Sequence, residues 1–463
     1  MPLFSEIVIN KFSHEPTRGQ HAFFNEIDHF LAHKGNAVFL LKGYAGTVKT
    51  SIVSALVNTL PLFNYKFLLL APTGRAAKVM SAYAQRMAFT VHKIIYKQKS
   101  DSATGELKFK LQSSYHKKTI FIVDEASMLS DSAEFGYSGL LQDLLKFVFT
   151  HADNKLILIG DSAQLPPVGQ TMNTALTKAF YTERGDTVFE IELDEVMRQE
   201  LDSGILYNAT ELRRRLKQDS GEIKFSTRSF HDIFRMTSEK MEEGLRYAYN
   251  KYGTANTIVV CRSNKSAVNY NLFIRRQIHF FDNELDVGDI LMAVRNNYTY
   301  APPDSPSGFL ANGDFMEIVK IYGFEEQYGF RFADLELKME SSESFEAKVL
   351  LDTIYSSTTS LSAEENKELY QRVSVDYADI KPQRKMREAL ASDKYLNAVQ
   401  VKFAYAVTCH KSQGGQWDAV FIDQGYIAND KIDPDRLKWL YTAFTRATRE
   451  LFLVNFNINQ FET

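Results

Sequence analysis

Cysteine is nearly absent: the 463 residues contain two, Cys261 and Cys409, in neither a CxxC pair nor a Cys/His cluster. That scarcity excludes a disulfide framework and a zinc site, and it fits a reducing cytoplasm. Long apolar runs are missing as well. No stretch approaches the roughly 18 residues of a membrane span, so no membrane partner is expected. The opening MPLFSEIVINKF has no basic segment followed by an apolar one, which gives no secretory signal. An excess of charge is also lacking, the formal net charge being -3. Any binding to nucleic acid therefore has to come from local basic patches. There is no internal repeat and no long low-complexity linker, and APPDSPSG at 301–308 is the clearest loop. Aromatic residues make up 13%, an amount that core packing absorbs without base stacking.

What is present is the composition of a soluble globular protein, 44% hydrophobic and 24% charged. The length exceeds the roughly 250 to 300 residues that one core organises, which predicts at least two domains. Short runs that are apolar at nearly every position recur: AVFLLKG, KFLLLAPTG, TIFIVDEAS, KLILIGDSAQ, TIVVCRSN and AVFIDQG. Each is followed by a small or polar turn and a helical pattern, as in the doubly covered parallel sheet of an α/β protein. Residues 1–200 form the first expected α/β unit, and 201–309 plus 401–463 form the second. An insertion at 310–400 splits the second unit. Within it GFEEQYGFRFADLELKME alternates as the strands of a small β module, and SAEENKELYQRV reads as helix. A smaller insertion at 93–118 has two alternating segments about an SDSATG tip, the pattern of a hairpin.

GYAGTVKTS, residues 43–51, follows the AVFLL strand and opens a helical pattern, which is the context a phosphate-binding loop requires. In such a loop the backbone N–H groups of Gly43, Ala45, Gly46, Thr47 and Val48 turn inward, with a helix N-terminus behind them. Lys49 adds charge, and the hydroxyls of Thr50 and Ser51 stand where magnesium and phosphate would lie. Taken alone, this degenerate string reads equally as a glycine-containing helix start beside a chance Lys-Thr. Two further strand ends decide between the readings. TIFIVDEAS sets Asp124 and Glu125 at a carboxyl edge, where the first can hold magnesium and the second can polarise an attacking water. LILIGDSAQLPPVG brings Asp161 and Gln164 to the same edge, where ligands of open α/β sheets bind. Three compatible strand ends indicate nucleotide hydrolysis.

With these segments in view, the chain resembles the superfamily 1B DNA helicases of the RecD/Dda-like branch. The resemblance is carried by TRGQHAFFNEI, GYAGTVKTS, LAPTGRAAKVM, TVHKII, IVDEASML, IGDSAQLPPVG, LDEVMRQ, VGDILMAVRNNY with LANGD, YAVTCHKSQGGQWDAV and LYTAFTRAT. These blocks stand in family order from residue 17 to 448. The resemblance implies two RecA-like P-loop NTPase domains with ATP and Mg2+ between them, a β-hairpin wedge at 93–118 and an SH3-like β insert at 310–400. It implies that Gln20 reads adenine and that Lys49, Thr50, Asp124 and Glu125 serve phosphate, metal and water. Gln164 would sense the γ-phosphate, and Arg198 and Arg446 would bring guanidinium groups to it, with Gly415 beside the nucleotide. It implies single-strand backbone contacts for Pro72, Thr73, His92, Thr408, His410, Lys411 and Ser412. Phe109 is the aromatic offered for stacking at the fork. The lysines of the hairpin, Lys93 to Lys118, fit either duplex contact or a solvated surface.

The expected function is thus an ATP-dependent helicase that moves 5′ to 3′ on single-stranded DNA and opens forked or tailed duplex. It is expected to be a monomer, with replication or repair proteins as further partners. One residue departs from the pattern. Val48 occupies the position before Lys49 where the loop expects glycine. If that position is left-handed, a β-branched side chain strains it by about 1 to 3 kcal/mol, a roughly five-fold to hundred-fold loss in rate or binding. The alternative function is a non-catalytic, nucleotide-dependent clamp on single-stranded DNA.

Overall fold

The computed structural model describes residues 3–12, 15–131 apart from 101–106, 138–195, 202–218, 223–300, 309–339, 343–425 and 433–462. Six parallel strands form the first sheet, in the order Ala88–Thr90, Lys66–Ala71, Thr119–Val123, Lys155–Gly160, Ala37–Gly43, Thr187–Leu193. The inner strands are apolar at nearly every position because both faces are covered. One face packs Phe23, Phe30, Leu56 and Met80, and the other packs Leu144, Phe147 and Tyr181. Two strands had no expectation in the sequence. Ala88–Thr90 has three residues, and Thr187–Leu193 is an edge strand whose TVFEIEL alternates with half its side chains toward solvent.

Strand order brings the chemistry together. The strands ending at Gly43, Val123 and Gly160 are neighbours, so the three chemistry-bearing strand ends lie side by side at one edge.

The second sheet has five parallel strands, in the order Ala406–Thr408, Thr257–Cys261, Trp417–Asp423, Ala447–Val454, Ile233–Met236. Its helices include Gly204–Gln218 and Pro434–Phe444, and the latter starts with Asp433 as N-cap and proline in the first turn. A closed five-stranded barrel follows, built from Ile290–Ala293, Phe315–Gln327, Phe330–Met339, Ser344–Leu350 and Val399–Phe403. Its first strand and most of its last lie outside 310–400, because ILMA and VQVKF close the barrel edge that the insert alone would leave open. The helix expected at SAEENKELYQRV is present as Ala363–Asp376, opened by a Ser362/Glu365 capping box. One apolar core runs from Leu245, Val259 and Phe421 under the second sheet into Leu335, Val349 and Val401 of the barrel, which makes the two a continuous body. Arg275 strengthens the join, with its guanidinium 2.7 Å from Asp289, whose carboxylate also accepts from Tyr405 at 2.9 Å.

The hairpin pairs Tyr96–Ser100 with Leu107–Leu111. Its tip and the Phe109 side chain lie outside the described residues, as does Arg198. Among the described residues no helix is long and apolar enough to cross a membrane.

Candidate nucleotide cleft and nucleic-acid face

The phosphate loop ends in the helix Lys49–Thr59, whose N-cap is Val48 at φ 56° and ψ 43°. Valine thus occupies a left-handed conformation, the one that the glycine expected at this position would accept without strain. The Lys49 ammonium folds back onto the carbonyls of Gly43 and Tyr44, at 2.7 and 2.9 Å. Gly43 is required where it stands, since a Cβ there would lie 2.7 Å from the Thr47 hydroxyl and 3.0 Å from the Lys49 stem. Thr47 is buried with its hydroxyl on the Tyr44 carbonyl at 2.8 Å, whereas Thr50 is exposed on the first helical turn.

Asp124 follows the neighbouring strand and accepts a hydrogen bond from the Tyr83 hydroxyl at 2.5 Å and from the Glu125 N–H at 2.8 Å. Glu125 is a second non-glycine residue of the cleft in the left-handed region, at φ 51°. Burial pushes the Glu125 carboxyl above the ordinary carboxylate range; Arg446 pulls it down, Asp124 raises it, and Lys49 and Asp161 act in opposite senses on it. Asp161 is buried and raised by that burial, and Lys49, the Tyr441 hydroxyl, the Ala163 N–H and Arg446 all lower it. Lys49 from the first sheet and Arg446 from the second therefore act on the same two carboxyl groups. Gln164 lies close by, 5% exposed, and its Oε1 has no hydrogen-bond partner among the described residues.

Arg446 is held from within its own unit. Its Nε donates to the Thr442 carbonyl at 3.0 Å, one terminal nitrogen to the Gly415 carbonyl at 3.1 Å, and the other to the Thr445 hydroxyl at 3.1 Å. Gly415 thereby holds the guanidinium in place. Gln20 sits beneath the loop, its Oε1 accepting from the Thr17 N–H at 2.9 Å in a capping box and its amide 3.5 Å from the Thr47 carbonyl. That engagement ties Gln20, the expected adenine reader, to the underside of the loop.

Away from the cleft, the loop 309–314 meets two of the residues expected to contact DNA, His92 and Lys411. The Phe309 ring lies 6.5 Å from His92, Asn312 accepts a hydrogen bond from Lys411, and Asp314 approaches Gly74 closely. Thr73 caps the helix Gly74–Ala84, and a Cβ on Gly414 would lie only 3.1 Å from its hydroxyl, so the two units' loops abut. The Arg75 guanidinium then stacks 3.9 Å over Trp417 of the second unit. Pro72, Thr73, Thr408 and His410 remain partly accessible along this seam. Burial pulls His92 down to about 4, so at neutral pH it acts as a neutral hydrogen-bonding group. Ser412 is the exception. It is fully buried with its hydroxyl on the Cys409 carbonyl at 2.8 Å, which gives it to the turn rather than to a DNA backbone.

Two family models match the chain, an AAA domain at residues 17–226 and a UvrD-like helicase C-terminal domain at 403–454. The ATP-dependent DNA helicase dda of Enterobacteria phage T4 is 25% identical over 473 residues, covering 95% of this chain and 99% of that one. The RecD2 DNA helicase of Deinococcus radiodurans is 30% identical over 176 residues, 38% of this chain and 21% of that one. A solved structure of Pif1 helicases at forked duplex DNA has the same fold, with a TM-score of 0.50 at 15% identity over 96% of this chain and 94% of that one. This chain is a superfamily 1B helicase.

Residues of the helicase that sequence reasoning passed over cluster around the same cleft. Tyr83 holds Asp124, and Tyr441 touches both Asp161 and the phosphate loop. Tyr44, the second residue of the loop, donates its hydroxyl to Glu192 and lies 4.2 Å beneath the Arg213 guanidinium. Tyr44 and Tyr441 carried a signal, the first inside GYAGTVKTS and the second five residues before Arg446 in LYTAFTRAT.

The left-handed valine gives a direct expectation. Val48→Gly should raise the kcat/KM of this helicase for ATP by about five-fold to hundred-fold, by relieving a strain of about 1 to 3 kcal/mol. Steady-state phosphate release with single-stranded DNA measures it, and equal turnover in both proteins would show that the loop carries no such strain.

Proposed function

We propose that this helicase hydrolyses ATP with magnesium and couples each turnover to 5′-to-3′ movement along single-stranded DNA, opening tailed or forked duplex as a monomer. The observation that carries the reading is that the helix leading to Arg446 reaches the first unit's site, the Tyr441 hydroxyl donating to Asp161 at 2.5 Å and accepting from the Ala45 N–H of the phosphate loop at 3.0 Å. Lys49 and Arg446, from opposite sheets, thus both bear on Glu125 and Asp161. A nucleotide lying among these groups touches both units, so its cleavage changes how strongly the units attract each other. The side chains fit a triphosphate and its attacking water: Lys49 can exchange two loop carbonyls for phosphate oxygens, and the buried Gln164 Oε1 can accept from a water. Thr50 and Asp124 would hold the magnesium, which when bound neutralises phosphate charge. Glu125 would take the proton of the attacking water, Arg446 would supply a guanidinium from the second unit, and Arg198 would supply another.

Single-stranded DNA fits the partly accessible seam of Pro72, Thr73, Thr408 and His410, beside His92 and Lys411 where they meet the loop 309–314, and the 96–111 hairpin with Phe109 serves as the wedge. We assign residues 1–200 to the first RecA-like domain, 201–309 plus 401–463 to the second, and 310–400 to its insert, with the insert widened to take in the barrel strands Ile290–Ala293 and Val399–Phe403. The T4 relative is named an ATP-dependent DNA helicase, which supports the substrate; the direction rests on the resemblance alone. Work in the cytoplasm beside replication or repair proteins fits the same reading. Strand displacement from 5′-tailed and 3′-tailed duplexes, with and without ATP, tests it. Release of the 5′-tailed strand only, and only with ATP, is expected; release of the 3′-tailed strand alone would reverse the direction. The left-handed Val48 favours one second reading, a clamp that binds nucleotide and DNA without turnover, and absence of DNA-stimulated phosphate release would select it.

A further inference from the structure

We infer that Tyr441 is a positioning residue of this cleft, one that conveys the shape of the phosphate loop to the helix leading to Arg446. The inference rests on the reading that the cleft binds a nucleoside triphosphate.

Tyr441 belongs to the Pro434–Phe444 helix of the second unit and is 1% exposed, yet its hydroxyl lies between two groups of the first unit. It donates to Asp161 Oδ2 at 2.5 Å and accepts from the N–H of Ala45, in the phosphate loop, at 3.0 Å. A phenol has one proton and one oxygen, so both bonds pass through a single atom and displacement of one partner disturbs the other. Asp161 is fixed on its far side by the Ala163 N–H at 2.9 Å. The adjacent residue repeats the crossing: the Thr442 hydroxyl accepts from the Leu165 N–H at 2.8 Å, and its carbonyl holds Arg446 Nε at 3.0 Å. Gln413 adds a third link, its amide donating to the Leu165 carbonyl at 2.8 Å.

Packing alone does not call for this hydroxyl, because a phenylalanine fills nearly the same volume. What the ring without its oxygen loses is the acceptor for the Ala45 N–H and a donor to a buried carboxylate, whose unpaired charge is costly in such a site. Triphosphate entry reshapes the loop amides around the phosphates. The Ala45 bond then shortens, lengthens or breaks, and the helix that presents Arg446 shifts with it. The phosphate loop and the guanidinium are coupled by contact before chemistry begins.

The test uses the full-length protein, a fluorescein-labelled oligothymidylate and the magnesium complex of the non-hydrolysable analogue AMP-PNP. In the wild type, the analogue is expected to change the Kd for the oligonucleotide by about five-fold or more, the usual size of such coupling. In Tyr441→Phe that factor should fall to within about two-fold of one, while the Kd for the analogue itself changes by less than about three-fold. Asp161→Asn keeps an acceptor for the Tyr441 hydroxyl and should retain most of the factor, whereas Asp161→Ala should lose it. A Tyr441→Phe protein with the wild-type factor overturns the inference, and so does one that loses analogue affinity in step with coupling, which is the mark of a merely structural role. A wild type that binds no analogue overturns the nucleotide reading as well, and so is distinguished from failure of this inference alone.

Discussion

Glu125→Gln should lower the DNA-stimulated kcat for ATP by about 10²- to 10⁴-fold, the range lost when a positioned general base is removed. Glutamine preserves the size of the side chain and an oxygen to orient water, so binding and fold are retained and only the capacity to accept a proton disappears. The surroundings make the substitution unusually clean. Burial raises the Glu125 carboxyl, which means that the folded protein binds its proton more tightly than the unfolded chain does. Stability from this group is therefore present at low pH and lost as pH rises through the raised value, so an amide should leave the melting temperature at pH 7 unchanged or higher. Stopped-flow phosphate release, together with fluorescent-nucleotide binding and a melting curve, reads all three quantities. A kcat within about three-fold of the wild type would remove Glu125 from the base's role and leave Asp161 as the carboxyl to examine.

The same residue shows where the sequence was legible and where it was not. Its place beside Asp124 could be read because TIFIV is buried on both faces of a parallel sheet, and such a strand announces its own carboxyl end. Its left-handed backbone could not, because glutamate carries no preference for that conformation. Val48 is the converse case: the glycine expected there implied a left-handed turn, and the turn is left-handed with valine in place. Edge strands escaped because Thr187–Leu193 alternates like a surface strand and Ala88–Thr90 is too short for any period. The barrel was seen only through its long alternating strands, since the short runs ILMA and VQVKF belong to it by closure rather than by pattern. Tyr83 and Arg213 gain their roles from tertiary neighbours 41 positions away in one case and in a different unit in the other, a relation no local spacing encodes. Gln20 and Ser412 were recognised as motif residues, but their burial turns both polar groups inward.

Removing the second unit's guanidinium should have an effect as large as any in the molecule. Arg446→Ala is expected to reduce kcat by about 10³- to 10⁵-fold, the contribution of a guanidinium aimed at transferring phosphate. Alanine alone would be an ambiguous test. Arg446 also lowers both Glu125 and Asp161 and anchors the Gly415 carbonyl, so its loss leaves buried carboxyls less compensated and a loop unheld. Arg446→Lys separates these roles. Lysine keeps a positive charge near the carboxyls, but it cannot reproduce the planar fork that now spans Thr442, Gly415 and Thr445 and would have to span phosphate oxygens in the loaded cleft. If geometry matters, lysine should fall nearly as far as alanine in kcat while its melting temperature and single-stranded DNA affinity stay near those of the wild type. If lysine retains activity within about ten-fold, the requirement is for charge alone, and the fork reading of Arg446 fails. The comparison also bears on the motor, because a cleft closed by generic attraction needs no particular side chain from the second sheet. One that is closed by a fork on the γ-phosphate loses both turnover and unwinding together when the fork is replaced.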